Sequence, residues 1–367
     1  MKQNYRRLLS LVLALTMALS LCIAHVWAAG PEAGKASLST QGVWWQGTCG
    51  ESAKWDTEWG EYGETCTMTI SGTGEIGDFL DEDGNQFTFK DRIIGVNIES
   101  GITSIGYSAF DGFSSLEWVV VPGTVEEIKG QAFFGCEKLE NVSLLNGVKD
   151  IGNLAFGACT GLDLIDLPAS VERIEGYAFD GCTALSGVLL KEGLEFIEEG
   201  AFNKCAPMEI TIPKSVKKIE RGALGYSNYS SFYEEEPYKL DKVPGFTIKG
   251  YKGSEAEIYA LNYGFDFKST GKVSAPSKTS LNSVKAKKGK KIEVKWKKNT
   301  SGQGYELQYS TDKKFKKGVK TLNIHKDYTK KTVSKLKAGK TYYFRIRTFK
   351  GSLTSGWSAV KSAKAKK

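Results

Sequence analysis

Apolar positions recur through the middle of the chain with a period of 23 residues. Ala-Phe pairs stand at Ala109-Phe110, Ala132-Phe133, Ala155-Phe156, Ala178-Phe179 and Ala201-Phe202, and Ala223-Leu224 is a sixth, degenerate copy. An isoleucine precedes each pair, at Ile105, Ile128, Ile151, Ile174, Ile197 and Ile219, with another apolar residue three positions earlier. After each pair comes a bend and then an alternating run, such as Leu116, Val119, Val121 or Leu162, Ile165, Leu167. Alternation with period two predicts a short strand, and Pro122, Pro168 and Pro213 end three of these by withholding an amide donor. One repeat cannot bury its apolar face alone, so the copies must stack into a solenoid with one continuous core.

The two ends are patterned differently. Lys2, Arg6 and Arg7 precede an apolar run from Leu8 to Ile23, and Val26-Trp27-Ala28 offers small residues where a signal peptidase reads. Cleavage is expected after Ala28. The run is shorter than the roughly 20 residues of a spanning helix, which puts the mature chain outside the membrane. Cys22 does not read as a lipidation site, because Leu21 before it is not small. From Val273 onward, short alternating runs (Ile292, Val294, Trp296; Tyr305, Leu307, Tyr309; Tyr342, Phe344, Ile346) are separated by turn residues and predict an all-β sandwich.

The repeats carry a resemblance. Gly101 to Pro122 (GITSIGYSAFDGFSSLEWVVVP) and Ser170 to Glu192 (SVERIEGYAFDGCTALSGVLLKE) resemble the BspA-type leucine-rich repeat of surface and secreted proteins. Gly47 to Trp55 and Met68 to Ile76 look like that family's N-terminal cap, with Ile94, Val96 and Ile98 as one more strand. Gly245 to Phe267 looks like the C-terminal cap. There Ser254 and Glu257 have capping-box spacing for a helix through Asn262, which Gly264 would stop. Leu336 to Arg347 (LKAGKTYYFRIR) resembles the fibronectin type III signature, with Tyr342 where the tyrosine corner falls, Trp296 as the core tryptophan and Ser355-Gly356-Trp357-Ser358 leading into the last strand. The expected layout is a signal peptide over 1–28, an N-terminal cap over 29–98, repeats over 99–224 and a C-terminal cap over 225–268. A linker over 269–276 and an immunoglobulin-like sandwich over 277–367 follow.

Composition narrows the chemistry. Of the two histidines, His25 lies in the stretch expected to be removed, leaving His325. Serine or cysteine relays and His-ligated metal sites need a well-placed imidazole, so neither a catalytic site, a metal nor a cofactor is expected. Glu126, Glu127, Glu172 and Glu195 form no isolated pair in a cleft motif, so nothing supports a glycosidase. Asp81 to Asn85 mimics the start of a calcium loop, but its glycine comes too early and Arg92 replaces the bidentate Glu, so a hairpin turn is the better reading. Charge is strongly uneven. Residues 273–367 hold 27 Lys plus Arg against Glu293, Glu306, Asp312 and Asp327, while residues 29–272 carry a net −18. Such a field draws the second domain towards polyanions such as an anionic cell-wall polymer; the bland alternative is that lysine keeps a small sandwich soluble and guards its edges. Attraction between the two domains is a further alternative. The export signal disfavours nucleic acid as partner.

Cys136, Cys159, Cys182 and Cys205 each follow the Phe of their repeat by three residues, which suits a buried thiol ladder; neighbour disulfides or a linear metal site are the alternatives. Cys49 and Cys66 lie in the N-terminal cap, where an oxidising exterior would allow a disulfide. Trp44, Trp45, Trp55 and Trp59 either cover the open end of the solenoid or stack on a ligand. The insertion from Gly225 to Leu240, with Tyr226, Tyr229, Phe232, Tyr233 and Tyr238, is structural first and a ligand lip second. The outward strand positions offer the better surface: Trp118, Asn141, Leu164 and Gly187 on one ladder, and Val120, Ser143, Asp166, Leu189 and Thr211 on the next. Exposed Trp118, Leu164 and Leu189 are poorly explained by solubility, although the N-terminal hairpin could cover Trp118.

The expected function is a secreted or surface-associated binding protein. The resemblance implies adhesion to a host, microbial or glycan ligand, with the basic sandwich as spacer or electrostatic tether. The alternative is a noncatalytic scaffold in an extracellular enzyme or envelope complex.

Overall fold

The computed structural model describes residues 46–59, 64–81, 87–229 and 240–367. Each 23-residue turn contributes two short strands, and like strands of successive turns pair in parallel. On one face Ile93–Ile98, Trp118–Val121 and Asn141–Leu144 are joined in register, followed by Leu164–Asp166 with Gly187–Leu189 and by Glu209–Thr211 with Thr247–Lys252. On the other, Gly74–Ile76, Ile102–Ile105, Glu127–Ile128, Asp150–Ile151, Arg173–Ile174, Phe196–Ile197 and Lys218–Ile219 form a seven-stranded ladder. The strand expected around Ile94 is Ile93–Ile98, and Ile93, Val96 and Ile98 are its core residues; Ile94 is only half-buried.

Between the ladders the Ala-Phe pairs form the core. Phe110, Phe133, Phe156, Phe179 and Phe202 are fully buried and stack nearly parallel, with ring centroids 5.0 to 5.4 Å apart. Each buried ring contributes about 2–3 kcal/mol of apolar transfer. The backbone beneath them is chained: each Phe amide donates to the Ala carbonyl of the following turn, as from Phe110 to Ala132 at 2.7 Å. Cys136, Cys159, Cys182 and Cys205 are buried free thiols, and each donates to the Phe carbonyl of the turn before, at 3.2, 3.2, 3.0 and 3.4 Å. A thiol fits because it is small, apolar enough to bury and still a weak donor.

The repeats turn twice through left-handed backbone. Two residues before the Phe or its equivalent, Ser108, Gln131, Leu154, Tyr177, Gly200 and Gly222 all have positive φ; two residues after it, Gly112, Gly135, Ala158, Gly181 and Lys204 do. Six of these eleven positions are not glycine, so sequence alone does not announce them.

The ends are closed by different devices. An antiparallel hairpin, Ala53–Trp59 with Cys66–Gly72, lays its second strand parallel to Ile93–Ile98 and so provides the first rung. Trp55 is buried there, its Nε1 donating to Leu80 O at 3.0 Å, and its ring meets Phe87 edge-on at 4.9 Å. At the far end the helix α1 (Glu255–Tyr263) caps the stack. The Tyr259 hydroxyl donates to the Leu224 carbonyl at 3.0 Å and accepts from the Leu224 amide at 3.1 Å. That amide is the one that would otherwise reach a seventh repeat. Gly264 ends α1 in left-handed conformation, φ 67°. The expected capping box is not made: Ser254 Oγ donates to Tyr251 O, and Glu257 accepts from Gly253 N at 2.6 Å instead.

The stretch from Ser269 read as linker is strand as far as Lys272, because Asp266–Lys272 pairs with Thr247–Lys252. The sandwich that follows packs one sheet (Leu281–Lys287, Lys291–Trp296, Lys330–Val333) on another (Lys320–His325, Gly304–Ser310, Thr341–Lys350 and the two last strands). Trp296, Tyr305, Leu307, Phe344 and Ile346 fill its core. The Tyr342 hydroxyl accepts the Lys337 amide at 3.0 Å, tying the loop before its strand to the sheet. Solenoid and sandwich form one compact unit, joined where Ser352 at the turn after Thr341–Lys350 donates through N and Oγ to the Glu257 carboxylate, at 3.0 and 2.6 Å. Leu353 packs on Gly253, where a Cβ would come within 2.5 Å of it.

Candidate binding surfaces

The outward positions of the first ladder form two rows. Gly95, Trp118 and Asn141 are mutually paired in one, and Asn97, Val120 and Ser143 in the other. In the next two turns, Leu164 pairs with Gly187 and Asp166 with Leu189. The strands themselves dictate this face: their alternate residues are committed to the core, so the intervening ones have no other side to occupy.

Trp118 is half-buried. Its indole lies across Gly95 of the preceding rung, where a Cβ would sit 2.0 Å from the ring. Leu164 likewise lies over Gly187, 2.6 Å from where a Cβ would be. Leu189 is 42% exposed. Asn141 and Ser143 are exposed between these apolar groups, and Lys191 pairs with Asp166 at 2.7 Å. The face is therefore two apolar spots, Trp118 with Val120 and Leu164 with Leu189, separated by a polar strip. Such a surface suits a ligand with its own alternation of apolar and hydrogen-bonding groups.

The second ladder presents charge. Ser104, Glu127, Asp150, Arg173, Phe196 and Lys218 follow one another in register, and Arg173 both pairs with Glu198 at 2.7 Å and covers the Phe196 ring at 4.5 Å. Within the repeats, two exposed apolar residues escaped the sequence reading. Tyr107, 73% exposed, lies over Gly130, and Leu145, 51% exposed, follows strand Asn141–Leu144 where three other repeats have Pro122, Pro168 and Pro213. A tyrosine followed 23 residues later by glycine, as also at Tyr177 and Gly200, was the available signal.

Cys49 and Cys66 are both free and buried, and the expected disulfide between them is not formed. Strand register explains it. Cys66 faces Trp59 at one end of the hairpin, whereas Cys49 donates its amide to Ala53, which faces Gly72 at the other. Six strand residues separate the ends by about 20 Å, far beyond disulfide reach. Burial pushes the thiols up, to about 12 for Cys49, Cys136 and Cys182 and about 11 for Cys66. Trp44, Trp45, the calcium-like residues 82–85 and most of the tyrosine insertion lie outside the described residues, as does the signal peptide. Of the insertion, Tyr229 is buried, and Asn203 is tied to it in both directions, Oδ1 accepting its amide at 2.9 Å and Nδ2 donating to its carbonyl at 3.1 Å.

On the sandwich, Trp357 is stacked by Arg345 at 4.2 Å and Arg347 at 4.4 Å. Ser355 and Ser358 accept the Thr348 and Ile346 amides, which fixes that segment on the sheet. Among the described residues, no helix is long and apolar enough to cross a membrane.

Comparison with known proteins agrees with this architecture. Residues 84–168 and 103–232 match the BspA type leucine rich repeat region, in six copies, and residues 274–364 match the fibronectin type III domain. No curated protein matches the chain. Among solved structures, it is similar to a leucine rich cell surface protein from Faecalibacterium prausnitzii A2-165, at 24% identity over 47% of this chain and 50% of that one, with a TM-score of 0.34. It is also similar to the T. pallidum leucine rich repeat protein, at 23% identity over 44% and 79% with a TM-score of 0.32. The FN1-FN3 domains of chicken CNTN1 align at 17% identity over 28% and 35%, with a TM-score of 0.25. The chain thus spans half the length of the Faecalibacterium protein and about a third of the chicken one. Both matched families are typically noncatalytic binding or scaffold domains, and BspA-like repeat proteins are cell-surface or secreted. The chain is a BspA-type leucine-rich repeat protein carrying a fibronectin type III domain.

Proposed function

We propose that the protein is an extracellular, adhesin-like binding protein. The solenoid recognises a protein or glycan on a host or microbial surface through its first strand ladder, and the lysine-rich sandwich serves as spacer and electrostatic tether to an anionic envelope. The observation that carries this reading is Leu189. It is 42% exposed on a regular strand, opposite Asp166 of the preceding turn and on the side away from the core. An exposed apolar group held on a preorganised surface loses little entropy on binding.

The test is adhesion of the full chain, immobilised on beads, to a panel of matrix proteins, mucins and microbial cells. Trp118→Ala with Leu189→Ala is expected to weaken adhesion at least tenfold while the melting temperature drops only slightly. Unchanged adhesion would remove this face from the account.

A further inference from the structure

The lysines of the sandwich are concentrated at one pole. Strand Thr341–Lys350 runs the length of the domain, with Lys350 beside the turn that docks on α1 and Thr341 at the opposite end, about 30 Å away. Register places four segments at the Thr341 end. Lys287 faces Lys291 across the first hairpin turn, and Lys288 and Lys290 lie within it. Ser310 faces Tyr343, so the loop after it, with Lys313, Lys314, Lys316 and Lys317, is there too. Val333 faces Ile292, which brings in Lys335, Lys337 and Lys340. Lys364 faces Thr341, and Lys366 and Lys367 bond through their carbonyls to the Lys290 and Gly289 amides.

All of these lysines are exposed, and they are 14 of the 27 cations after Val273. Two carboxylates meet these segments: Glu293, just beyond Lys291, pairs with Lys287 at 3.6 Å, and Asp312 lies in the second loop. The Asp312 carboxylate is occupied by the amides of Lys314, Lys316 and Lys317, at 2.9, 2.8 and 3.2 Å. Crowding like charges opposes folding, and solubility is served equally well by scattered charge. The segments contain no arginine, the residue suited to gripping a carboxylate with two parallel bonds; lysine binds phosphate as a point charge.

We propose that this pole binds a linear phosphodiester polyanion, with the solenoid carried at the other end of the sandwich and projecting away from it. The proposal rests on the tether reading above and adds the place and the chemistry. Binding of the full chain to poly(glycerol phosphate) is measured across a salt series. In one variant Lys288, Lys290, Lys335, Lys337, Lys366 and Lys367 are changed to Gln; in the other, Lys278, Lys285, Lys295, Lys298, Lys326 and Lys330 are. The net charge removed is equal. The pole variant is expected to lose at least tenfold in affinity and to show a shallower dependence on salt, because fewer counterions are released. The second variant should stay within about twofold of the parent.

Equal losses in both variants would overturn the pole while leaving a diffuse tether. Equal affinity for hyaluronate would overturn the phosphate assignment, and binding to phosphatidylglycerol vesicles in preference to the polymer would overturn the linear ligand. No polyanion binding by the parent chain would overturn the tether reading itself.

Discussion

Glu257 on α1 and Ser352 on the sandwich lie 95 residues apart in sequence and are joined by two hydrogen bonds. Burial alone would raise the Glu257 carboxyl, but the bonds from Ser352 and Gly253, with Lys252 nearby, outweigh it and hold it below the usual carboxylate range. A depressed group favours the docked state above its ordinary titration range and ceases to do so as pH falls through its lowered value. Small-angle scattering should therefore show constant dimensions from pH 7 to 5 and a widening only below about pH 4. Glu257→Ala should widen the molecule at neutral pH. Neutral-pH dimensions unchanged by that substitution would show that the two hydrogen bonds do not hold the domains together.

Tyr259 closes the solenoid by standing in for a missing repeat. In Tyr259→Phe, the buried Leu224 amide and carbonyl lose their partner at almost no change in packing volume. Leaving such groups unsatisfied costs about 1–3 kcal/mol each, so thermal unfolding followed by circular dichroism should shift down by several degrees. A melting curve identical to the parent would mean that water replaces the hydroxyl without cost.

The six described cysteines are buried, with thiols pushed well above neutral pH. A thiol at about 12 has about one thiolate in 10,000 at pH 8, and the thiolate is the reactive form. Native protein should therefore resist a maleimide for hours and react at all six positions once denatured. Rapid labelling of Cys136 or Cys182 in the native state would contradict a closed core.

The left-handed turn two residues after the Phe gives a backbone test. Gly135 has φ 68° and open space where a Cβ would project, so Gly135→Ala measures backbone strain alone. It should cost about 1 kcal/mol. Ala158 occupies the same turn at φ 56°, and Ala158→Gly should be neutral to stabilising. Denaturant titration reads both; the opposite signs would refute the turn assignment.

The solenoid was legible because every turn makes the same demands at the same spacing: an Ala-Phe pair for the core, a thiol against the preceding carbonyl, alternate residues for a strand. The outward face was legible for the same reason, since period two leaves no choice of side. Contacts between elements far apart in sequence were not. Glu257 has the spacing of a capping residue, yet its carboxylate turns to Ser352, and nothing near position 257 carries that information. The strand through Lys272 was hidden by Ser and Gly residues typical of linkers. Trp118 was read as exposed because its cover is a glycine, Gly95, whose role is to have no side chain.

Because the six described thiols are buried, a new surface cysteine on residues 29–367 is selectively addressable, and this permits the most direct test of which face recognises the ligand. Ser143→Cys lies on the first ladder and Asp150→Cys on the second, only seven residues along the chain. Each variant is capped with a bulky maleimide polymer, and bead adhesion to the same panel of matrix proteins, mucins and cells is measured. The account predicts that the cap at position 143 abolishes adhesion and the cap at 150 leaves it intact. Adhesion that survives the first cap, or is lost with the second alone, would contradict it.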